Sequence, residues 1–563
     1  MFCLFPSRQT VNRLALLSVL PCFFFLFFFF LFFQLTPVFF CLTPEMSDDH
    51  EIGVKEEFSS DTPLLVTEEE ALARARSRPG EALPLLITFG PSDRDNPRCW
   101  GFWRKWYITC FVSMLNVVTT WCAGGFSSGA PEIADHFGVS TEVTTLCLSM
   151  YVLGYAVGPV LLAPLSEYFG RQPVYLVSWL LVCLFQLPLA LAPNIGTMIV
   201  CRLLAGLAGG APLTNTGGTV SDLWERNASG GPMAVYGLSS TFGPPMALVV
   251  SGYIGLNLGF RWIFWVLMAI TGGFWVLLAL TVPETRHSII LQRKARRVRK
   301  QMEQEGLRSA STTHDLHAPE RKNLRQLFAI TLSRPFVFLF TEPITSFSAV
   351  YNGFLYGLVY LFNEAFPLVF GGPHGHGFNT GQQGLCFLGM AVGPLVAFAL
   401  SPLQERYYLR RVAENEGRAV PEARMWMARG GSLLIPISLF WFGWTSYSSV
   451  HWIVPIIASS FFGAGLYIVI LSILNYVVDG YQTYSASALA GVILVRNIVG
   501  AGFPLFATQM YVRLGYEWAS SLLGFIAVLL VPIPFVFFYK GEVIRLRSPW
   551  AREHFNSSED HPH

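Results

Sequence analysis

Charged side chains are scarce in this chain of 563 residues: Asp, Glu, Lys and Arg together make up 13%, against roughly 25% in soluble globular proteins. Hydrophobic residues make up 52%. This balance excludes an ordinary water-soluble enzyme and a disordered protein. The 38 basic residues barely outnumber the 36 acidic ones, and a net charge of +2 is too small to attract nucleic acid.

Patterns that would hold a metal or a nucleotide are also missing. The ten cysteines form no Cys-x-x-Cys pair, and the His-x-His pair of His374 and His376 supplies only two ligands. The sequence has no Walker A loop and no His-Glu-x-x-His motif. A membrane enzyme such as an acyltransferase would need a His/Asp or metal cluster at one membrane face, and none is visible. We therefore predict no metal, no cofactor, no disulfide framework and no enzymatic activity.

Residues 1–45 differ from the polar segment that follows them. The apolar run Cys22–Phe33 comes after Arg8 and Arg13, an order typical of a signal sequence or anchor, but no Ala-x-Ala cleavage site follows it. Met46 begins an acidic segment typical of a cytosolic amino terminus. We therefore expect translation to start at Met46, which makes 1–45 an extension of the gene model. The alternative is an additional membrane helix.

Long apolar runs recur from Trp106 onward. Each is about 20 residues long, enough to cross a ~30 Å hydrocarbon core as a helix whose backbone groups are satisfied within the segment. The runs lack the alternation that barrel strands would show. The predicted spans, numbered 1 to 12, are residues 106–127, 143–165, 173–193, 195–220, 231–256, 261–283, 335–362, 380–403, 426–446, 451–478, 484–509 and 517–539.

The connections divide these spans into two sets of six. The predicted organisation is a disordered cytosolic tail (46–105), an amino-terminal lobe (106–283), a basic cytosolic linker (284–334), a carboxyl-terminal lobe (335–539) and a cytosolic tail (540–563). Six plus six helices with a long central linker is the plan of a two-lobed secondary transporter. The expected fold class is therefore an all-α membrane protein of twelve transmembrane helices.

Lysine and arginine are concentrated in alternate connections, which sets the expected orientation because basic loops stay in the cytosol. If residues 46–105 are cytosolic, the inner connections hold nearly all the basic residues, and the outer ones hold only Arg261 and Arg513. Both termini are therefore predicted to be cytosolic. The sequons at Asn227 and Asn556 would then face the cytosol, so we expect no glycosylation.

The connection between span 2 and span 3 reads Ala163-Pro-Leu-Ser-Glu167-Tyr-Phe-Gly170-Arg171-Gln172. It resembles the major facilitator superfamily signature Gly-x-Leu-Ala-Asp-Arg-x-Gly-Arg-Arg, with Ala163 and Gln172 as departures. The resemblance implies a conformational latch that joins the two lobes on the cytosolic side. A fainter copy, Leu403-Gln-Glu405-Arg406, lies at the equivalent place between span 8 and span 9 and indicates an internal repeat.

Each residue of this latch has an expected role. Gly170 would allow a tight turn, and Arg171 would bind backbone carbonyl groups or the carboxylate of Asp222. Glu167 would lie against the start of the helix near Tyr484–Ala488, where the helix dipole favours a negative charge and small side chains permit a close approach. The alternative is a charged turn with no latching role.

Span 4 contains Arg202-Leu-Leu-Ala-Gly206-Leu-Ala-Gly209, which is similar to the family's Arg-x-x-x-Gly-x-x-Gly signature. An arginine inside a membrane helix is costly and usually faces a partner or a water-filled cavity. The resemblance implies that Arg202 modulates a proton site or holds cargo. The alternative is a side chain that reaches the membrane surface, about 10 Å away.

Span 5 reads Gly237-Leu-Ser-Ser-Thr-Phe-Gly243-Pro244-Pro-Met-Ala247-Leu248-Val-Val-Ser-Gly252. It resembles the antiporter signature, in which Gly-Pro pairs precede a Gly-Gly pair and let the helix bend between the lobes. One pair survives as Gly243-Pro244 ahead of Gly252, whereas Ala247-Leu248 replaces the second. This departure keeps a proton-independent facilitator or an importer open as an alternative.

The second lobe extends the resemblance. Span 7 contains Thr341-Glu342-Pro343-Ile344, and spans 10 and 11 contain Asn475-Tyr476-Val-Val-Asp479 and Arg496-Asn-Ile-Val-Gly500. These look like the fungal branch of the twelve-helix drug:proton antiporters, whose members export drugs, polyamines and secondary metabolites. The resemblance implies a proton-coupled exporter of small organic molecules by alternating access, with a glycolipid, an organic acid or a drug as cargo.

Ionisable residues inside the membrane are candidates for the proton and cargo pathway. Glu342 lies about 10 Å inside the cytosolic end of span 7, where a carboxyl group could pass a proton between the two sides. Glu364 lies near the outer end, where a loop-edge role is the alternative, and Arg496 needs a counter-charge or a carbonyl cage. The full set, including neutral polar residues that could equally join helices, is Arg202, Glu342, Glu364, Arg496, Asn116, Tyr356 and Asn475.

The cargo class follows from these charges. Two carboxyl groups opposed by two arginines disfavour a polyamine, because several buried ammonium groups would need several carboxylates. Polyamine export is the alternative to export of a neutral or weakly acidic metabolite. The expected partners are the lipid bilayer, protons and cargo, and the chain is expected to be a monomer. We expect the plasma membrane, with a vacuolar or other internal membrane as the alternative.

Overall fold

The computed structural model describes residues 64–77, 85–90, 93–225, 228–305, 316–317, 324–371 and 375–551. The predictions for residues 1–45, for His374 and for the sequons at Asn227 and Asn556 lie outside these ranges. Long helices dominate the described part of the chain, and the predicted all-α membrane fold is confirmed.

Six helices form the first lobe, in the order that the apolar runs predicted. Spans 1 to 6 are Phe102–Gly124, Thr141–Phe169, Arg171–Ala190, Ile195–Leu223, Gly230–Leu258 and Phe260–Thr281. Spans 2 and 4 approach so closely that a Cβ atom on Gly154 would lie 2.3 Å from the carbonyl oxygen of Leu203. Glycine is needed there because membrane helices associate through close packing of small residues.

The second lobe repeats this plan. Span 7 is Pro343–Phe370, span 8 is Leu388–Glu414, span 9 is Trp426–Thr445 and span 10 is Ile453–Tyr481. A short helix, Thr380–Cys386, precedes span 8. Span 7 begins later than predicted, because residues 335–341 belong to a separate helix, Leu324–Thr341. The break falls at Glu342, whose extended backbone (φ −107°, ψ 106°) fits the steric bar on α conformation before proline.

Two crossings share the helical stretch Ser485–Arg547, which has 63 residues. At ~1.5 Å per residue it would extend about 95 Å, roughly three times a hydrocarbon core. Gly515 interrupts it with φ of 81° and ψ of 162°, a backbone conformation that glycine adopts readily because it has no Cβ atom. Span 11 is therefore 485–514 and span 12 is 516–547. Ten described stretches are long and apolar enough to cross a membrane, and span 9 is not among them. Dividing the last stretch at Gly515 gives eleven spans, and span 9 is the twelfth.

The lobes meet along two helix pairs. Span 2 packs against span 11, where Tyr155 and Ile493 belong to one apolar cluster and Val160 and Leu494 to another. Span 5 packs against span 8 and against the helix Thr380–Cys386. The opposite faces of several spans expose large apolar side chains such as Leu280, Val350 and Leu529, as a lipid-facing surface requires.

Parts of the tail and the linker are ordered together, which differs from the predicted disordered tail at 46–105. Strands β1 (Leu64–Val66), β2 (Leu85–Ile87) and β3 (Leu316–His317) form a small parallel sheet in that order. The helices Glu68–Ser77 and His287–Gln304 cover it. The apolar side chains that hold this unit together are Val66, Ala71, Ile87, Ala295 and Val298. Short apolar runs that look isolated in the sequence thus find partners more than 200 residues away.

Lys294 joins the two parts of this unit. Its side chain is 6% exposed, and its ammonium group forms ion pairs with Asp93, with Asp95 at 3.4 Å and with Glu68 at 3.9 Å. Burial alone would raise the pKa of Asp93, but the hydrogen bond and charge of Lys294 hold that pKa below its usual value. One residue of the basic linker therefore anchors the tail.

Candidate functional site

The predicted partner of Arg171 is present in the first lobe. Arg171 begins span 3, and its Nε donates to Oδ2 of Asp222, at the end of span 4, at 3.3 Å. Its Nη1 donates to the hydroxyl oxygen of Ser166 in span 2 at 2.7 Å. The guanidinium group is buried, so it ties together the ends of three helices on the side that is predicted to be cytosolic.

Glu284, which follows span 6, caps the start of span 3. Its Oε1 accepts the backbone N–H of Arg171 at 2.8 Å, and its Oε2 accepts that of Gln172 at 3.3 Å. An acidic group at a helix amino terminus satisfies free N–H groups and complements the dipole. Gly170 is required beside it, because its φ is 107° and a Cβ atom would lie 2.2 Å from Oε2 of Glu284.

The second lobe contains an equivalent cluster. Arg424, at the start of span 9, donates to Oδ2 of Asp479 at 2.9 Å and to Oε2 of Glu405 at 2.7 Å. The guanidinium group also lies 3.4 Å from the ring centre of Tyr408. In this cluster Arg424 lies where the third helix of the lobe begins, and Asp479 lies where the fourth ends. Arg171 and Asp222 hold the same places in the first lobe.

Glu405 also reaches across to the first lobe. Its carboxylate lies against Gly230, the first residue of span 5, where a Cβ atom would be 2.1 Å from Cδ of Glu405. An acid at the beginning of a helix of the other lobe is the contact predicted for Glu167 with span 11. Glu167 itself is half-buried and makes no hydrogen bond with the described residues, so its contact with span 11 stays a prediction.

Gly230→Ala is expected to weaken closure of the lobes on this side, because the new methyl group occupies the place of the Glu405 carboxylate. Overpacking of this kind costs about 1–3 kcal/mol, which shifts the equilibrium constant for closure roughly 5- to 150-fold. Distances between spin labels near Gly230 on span 5 and near Glu405 on span 8 would report this change. Gly273→Ala in span 6 is the control, since nothing lies within 4 Å of its Cβ position. Equal distance distributions in the two variants would contradict the closure role.

Arg202 is held by backbone carbonyl groups. Its guanidinium group donates to the oxygens of Cys147 at 3.2 Å, Cys122 at 2.6 Å and Ala123 at 2.9 Å. The rings of Phe126 and Tyr151 lie on it at 4.6 and 4.7 Å. Arg202 is therefore inside the bundle rather than at the membrane surface, and it ties span 4 to spans 1 and 2.

Arg496 has no such cage. Its side chain is 1% exposed, its Nε and Nη2 have no hydrogen-bond partner among the described residues, and it lies 4.3 Å from the ring of Tyr356. It lies within electrostatic range of Tyr155 and Tyr236 of the first lobe and Tyr360 of the second. Neither the counter-charge nor the carbonyl cage that the sequence called for is found in the described part of the chain.

Asn116 connects three helices of the first lobe and is bonded to Tyr155, which lies within electrostatic range of this arginine. Its Nδ2 donates to the hydroxyl oxygens of Ser239 at 3.0 Å and Ser240 at 2.9 Å, and the Tyr155 hydroxyl donates to its Oδ1 at 2.9 Å. The backbone oxygen of Tyr155 in turn accepts Nδ2 of Asn497 from span 11 at 3.2 Å. A buried polar layer therefore crosses from one lobe to the other.

Glu342 lies elsewhere in the second lobe. The Tyr481 hydroxyl donates to its Oε2 at 2.9 Å, and its Oε1 has no partner among the described residues although the side chain is 1% exposed. It borders a cavity of about 570 Å³. Other residues of span 7 and residues of span 12, including Arg547, also line this cavity. The rise of span 7 separates it from Tyr356 by about 20 Å. The structure does not bring Glu342 together with Arg496.

The other predicted pathway residues are dispersed. Asn475 lines a small cavity with Glu405 and Arg424 at the lobe interface. Glu364 is half-buried near the end of span 7. Neither residue belongs to the polar layer around Arg496. The residues predicted for the proton and cargo pathway therefore do not form one site.

Span 5 uses its glycines for close packing. A Cβ atom on Gly243 would lie 2.0 Å from the Thr120 hydroxyl oxygen of span 1, and one on Gly252 would lie 2.9 Å from the Thr380 carbonyl oxygen of the second lobe. The helix continues through Pro244 from Gly230 to Leu258. Gly252 thus closes the lobe interface at the end of span 5 opposite to Gly230.

Sequence reasoning missed several of these residues. Arg424, Asp479 and Glu284 are ordinary loop-edge charges in the sequence, and Tyr155 is one of many aromatic residues in apolar helices. A usable signal existed for two of them, because Arg424 and Asp479 occupy the same places in spans 9 and 10 as Arg171 and Asp222 in spans 3 and 4. The capping role of Glu284 has no sequence signal.

Comparisons with known proteins agree with this geometry. A family model described as the Major Facilitator Superfamily matches residues 109–504. The transporter paaT of Penicillium rubens is 38% identical over 466 residues, which cover 83% of this chain and 84% of paaT. The efflux pump FUB11 of Gibberella moniliformis is 36% identical over 481 residues, 85% of this chain and 80% of FUB11.

Solved structures share the fold. The proton:xylose symporter XylE of E. coli superposes with a TM-score of 0.53 at 14% identity, covering 77% of this chain and 95% of XylE. At that identity the likeness concerns the arrangement of the helices alone.

Proposed function

Because this chain belongs to the major facilitator superfamily, we propose that it is a proton-coupled exporter of small organic molecules that works by alternating access. Membership of the family makes it a multi-pass membrane transporter and not an enzyme, as the sequence predicted. Its partners are accordingly the lipid bilayer and a small-molecule cargo. Proton coupling, direction and cargo are the proposed parts.

The observation that carries the proposal is a buried polar layer enclosed between two closures. Asn116, Tyr155 and Arg496 lie between the lobes. On one side, Glu405 lies against Gly230, and on the other the helix Thr380–Cys386 lies against Gly252. Opening one closure at a time would expose this layer to one side of the membrane at a time, which is the requirement of alternating access.

The ion pairs in each lobe support the cytosolic closure. Arg171 with Asp222 and Arg424 with Asp479 hold the ends of helices in register within their own lobes. Each lobe can then move as a rigid body, while the contact of Glu405 with span 5 forms and breaks. The proposed role of Glu167 in this closure is to approach the start of span 11, and that of Gly170 is to let span 3 begin close against Glu284.

Glu342 supports proton coupling. It is a buried carboxyl group with one unpartnered oxygen beside a cavity, and a carboxyl group in that setting can gain and lose a proton. Its distance from the polar layer implies that coupling acts through the helix rather than by direct contact with cargo. The Tyr481 hydroxyl links it to span 10, whose other contacts include Arg424.

Export is the proposed direction because relatives such as FUB11 are named efflux pumps. The proposed membrane is the plasma membrane, with a vacuolar or other internal membrane as the alternative, and the proposed state is a monomer. A proton-independent facilitator is the second candidate function. It is favoured by the replacement of the second Gly-Pro pair of span 5 by Ala247-Leu248.

Deletion of the gene in the source organism tests the direction and the cargo together. A metabolite or drug should accumulate inside the cells and return to its normal level when the wild-type gene is restored, while spermidine tolerance stays unchanged. Spermidine hypersensitivity with unchanged metabolite secretion would favour the polyamine alternative. Microscopy of a fluorescent fusion in the same strain would test the plasma membrane.

A further inference from the structure

The two arginines buried in the membrane interior differ in how they are satisfied. Three backbone carbonyl oxygens surround the guanidinium group of Arg202, at the carboxyl-terminal end of span 1 and in span 2. Arg496 has only the face of the Tyr356 ring, and two of its nitrogens lack a hydrogen-bond partner among the described residues. Arg202 is therefore a complete structural unit, whereas Arg496 has unused donors.

The groups that face Arg496 are neutral. Tyr155 and Tyr236 approach from the first lobe, and Tyr356 and Tyr360 from span 7. No ion pair joins Arg496 to a carboxylate in the described ranges. On span 7, Glu364 is about 12 Å and Glu342 about 20 Å along the helix from Tyr356, and Glu342 already accepts a hydrogen bond from Tyr481.

Polar groups beside the arginine are also unsatisfied. The hydroxyl groups of Tyr356 and Tyr360 have no partner in the described part of the chain other than each other. Oδ1 of Asn497, the residue after Arg496, is buried there without a hydrogen-bond partner. Buried polar groups are normally paired, so several orphan groups around one unpaired charge indicate that something else completes the site. The missing group must be negatively charged, since an unpaired buried guanidinium group is the most costly member of this set.

From this geometry we propose that Arg496 is the binding site for the carboxylate of an amphipathic organic monoanion, which is the cargo of the proposed transport function. The flat guanidinium group matches a carboxylate with two parallel hydrogen bonds. The hydroxyl groups of Tyr356 and Tyr360 can supply a further donor, and the tyrosine rings provide an aromatic wall for the rest of the molecule. Because the site takes groups from both lobes, bound cargo touches both parts that move.

A matched set of probes tests the charge requirement on the purified full-length protein in detergent. The probes are 4-phenylbutyrate, its neutral amide 4-phenylbutanamide and the cation 4-phenylbutylamine, which share one apolar body. The carboxylate is expected to raise the thermal midpoint and to bind roughly tenfold or more tightly than the amide, because charge-assisted hydrogen bonds are about twice as strong as neutral ones. The amine should give no shift.

Variants locate the effect. Arg496→Gln should remove the preference for the carboxylate over the amide, and Arg496→Lys should keep part of it. Arg513→Gln is the control, because Arg513 is an exposed arginine on the same span and should leave the preference unchanged. No stabilisation of the wild type by 4-phenylbutyrate, equal stabilisation by the amide, or an unchanged preference in Arg496→Gln would overturn the proposal.

A second measurement needs no ligand. Arg496→Gln should leave the thermal midpoint of the ligand-free protein unchanged or higher, because it removes an unpaired buried charge. Arg202→Gln should lower the midpoint, because it removes three hydrogen bonds to the backbone. A similar fall in both variants would show that Arg496 is structural. Binding is measured without a pH gradient, so a failure of proton coupling would leave these results unaffected, and loss of the carboxylate preference would leave proton-coupled transport standing.

Discussion

Glu342→Gln is expected to abolish transport driven by a pH gradient while the protein still folds. Glutamine keeps the size of the side chain and an oxygen that can accept the Tyr481 hydroxyl, now 2.9 Å from Oε2. It cannot release a proton, so the cycle would lose its coupled ion. Flux of cargo in sealed vesicles, with and without an imposed gradient, measures the effect, and the gradient-dependent part should vanish.

Two further variants separate the proton from the hydrogen bond. Glu342→Asp keeps a titratable group and should retain part of the gradient-dependent flux. Tyr481→Phe keeps the carboxyl group but removes the only hydrogen bond that the structure gives it among described residues, and should shift the pH dependence without abolishing transport. Full gradient-dependent flux in Glu342→Gln would remove Glu342 from the proton pathway.

Arg424→Ala is expected to destabilise the second lobe by about 3–5 kcal/mol, since it leaves the buried carboxylate of Asp479 and the partly buried one of Glu405 without their counter-charge. Arg424 is 4% exposed, and its partners Glu405 and Asp479 lie at 2.7 and 2.9 Å. The thermal midpoint of the purified protein should fall, and closure on this side should weaken because Glu405 would no longer be held against span 5.

The chain offers a control for this ion pair. Arg410 and Glu414 form a pair at 3.0 Å on the exposed end of span 8, with 80% and 44% of their side chains exposed. Surface pairs of this kind contribute roughly 0.3–0.5 kcal/mol, so Arg410→Ala should leave the midpoint nearly unchanged. Equal losses in the two variants would mean that the Arg424 cluster is only a surface feature.

Much of the architecture could be predicted because lipid imposes simple rules. Apolar runs of helix length predicted the starts of ten spans to within four residues, whereas spans 7 and 8 each begin eight residues later than predicted, at Pro343 and Leu388. The motif between spans 2 and 3 indicated backbone carbonyl groups or Asp222 as the partner of Arg171, and the structure contains the contact with Asp222 at 3.3 Å. These features depend on local sequence, so a single chain reveals them.

Features that depend on distant partners could not be predicted in this way. β1 and β2 are stabilised by the linker helix His287–Gln304, and that pairing leaves no local pattern in a polar tail. Glu405 was expected in the latch, but its place against Gly230 depends on how two lobes dock. The sequence also could not show that Arg202 has a carbonyl cage and Arg496 has none, because both are single arginines in apolar helices.

The central claim, proton-coupled transport, is tested most directly by flux in sealed vesicles that contain only the purified protein. The labelled cargo is the compound that accumulates in the deletion strain, and an acidic pH is imposed on the side that corresponds to the outside of the cell. The account predicts that cargo moves from the cytosolic side toward the acidic side and that a protonophore stops this movement. It also predicts that, when cargo is added without a pH gradient, protons move in the direction opposite to the cargo. Cargo flux that is the same with and without the gradient would contradict it.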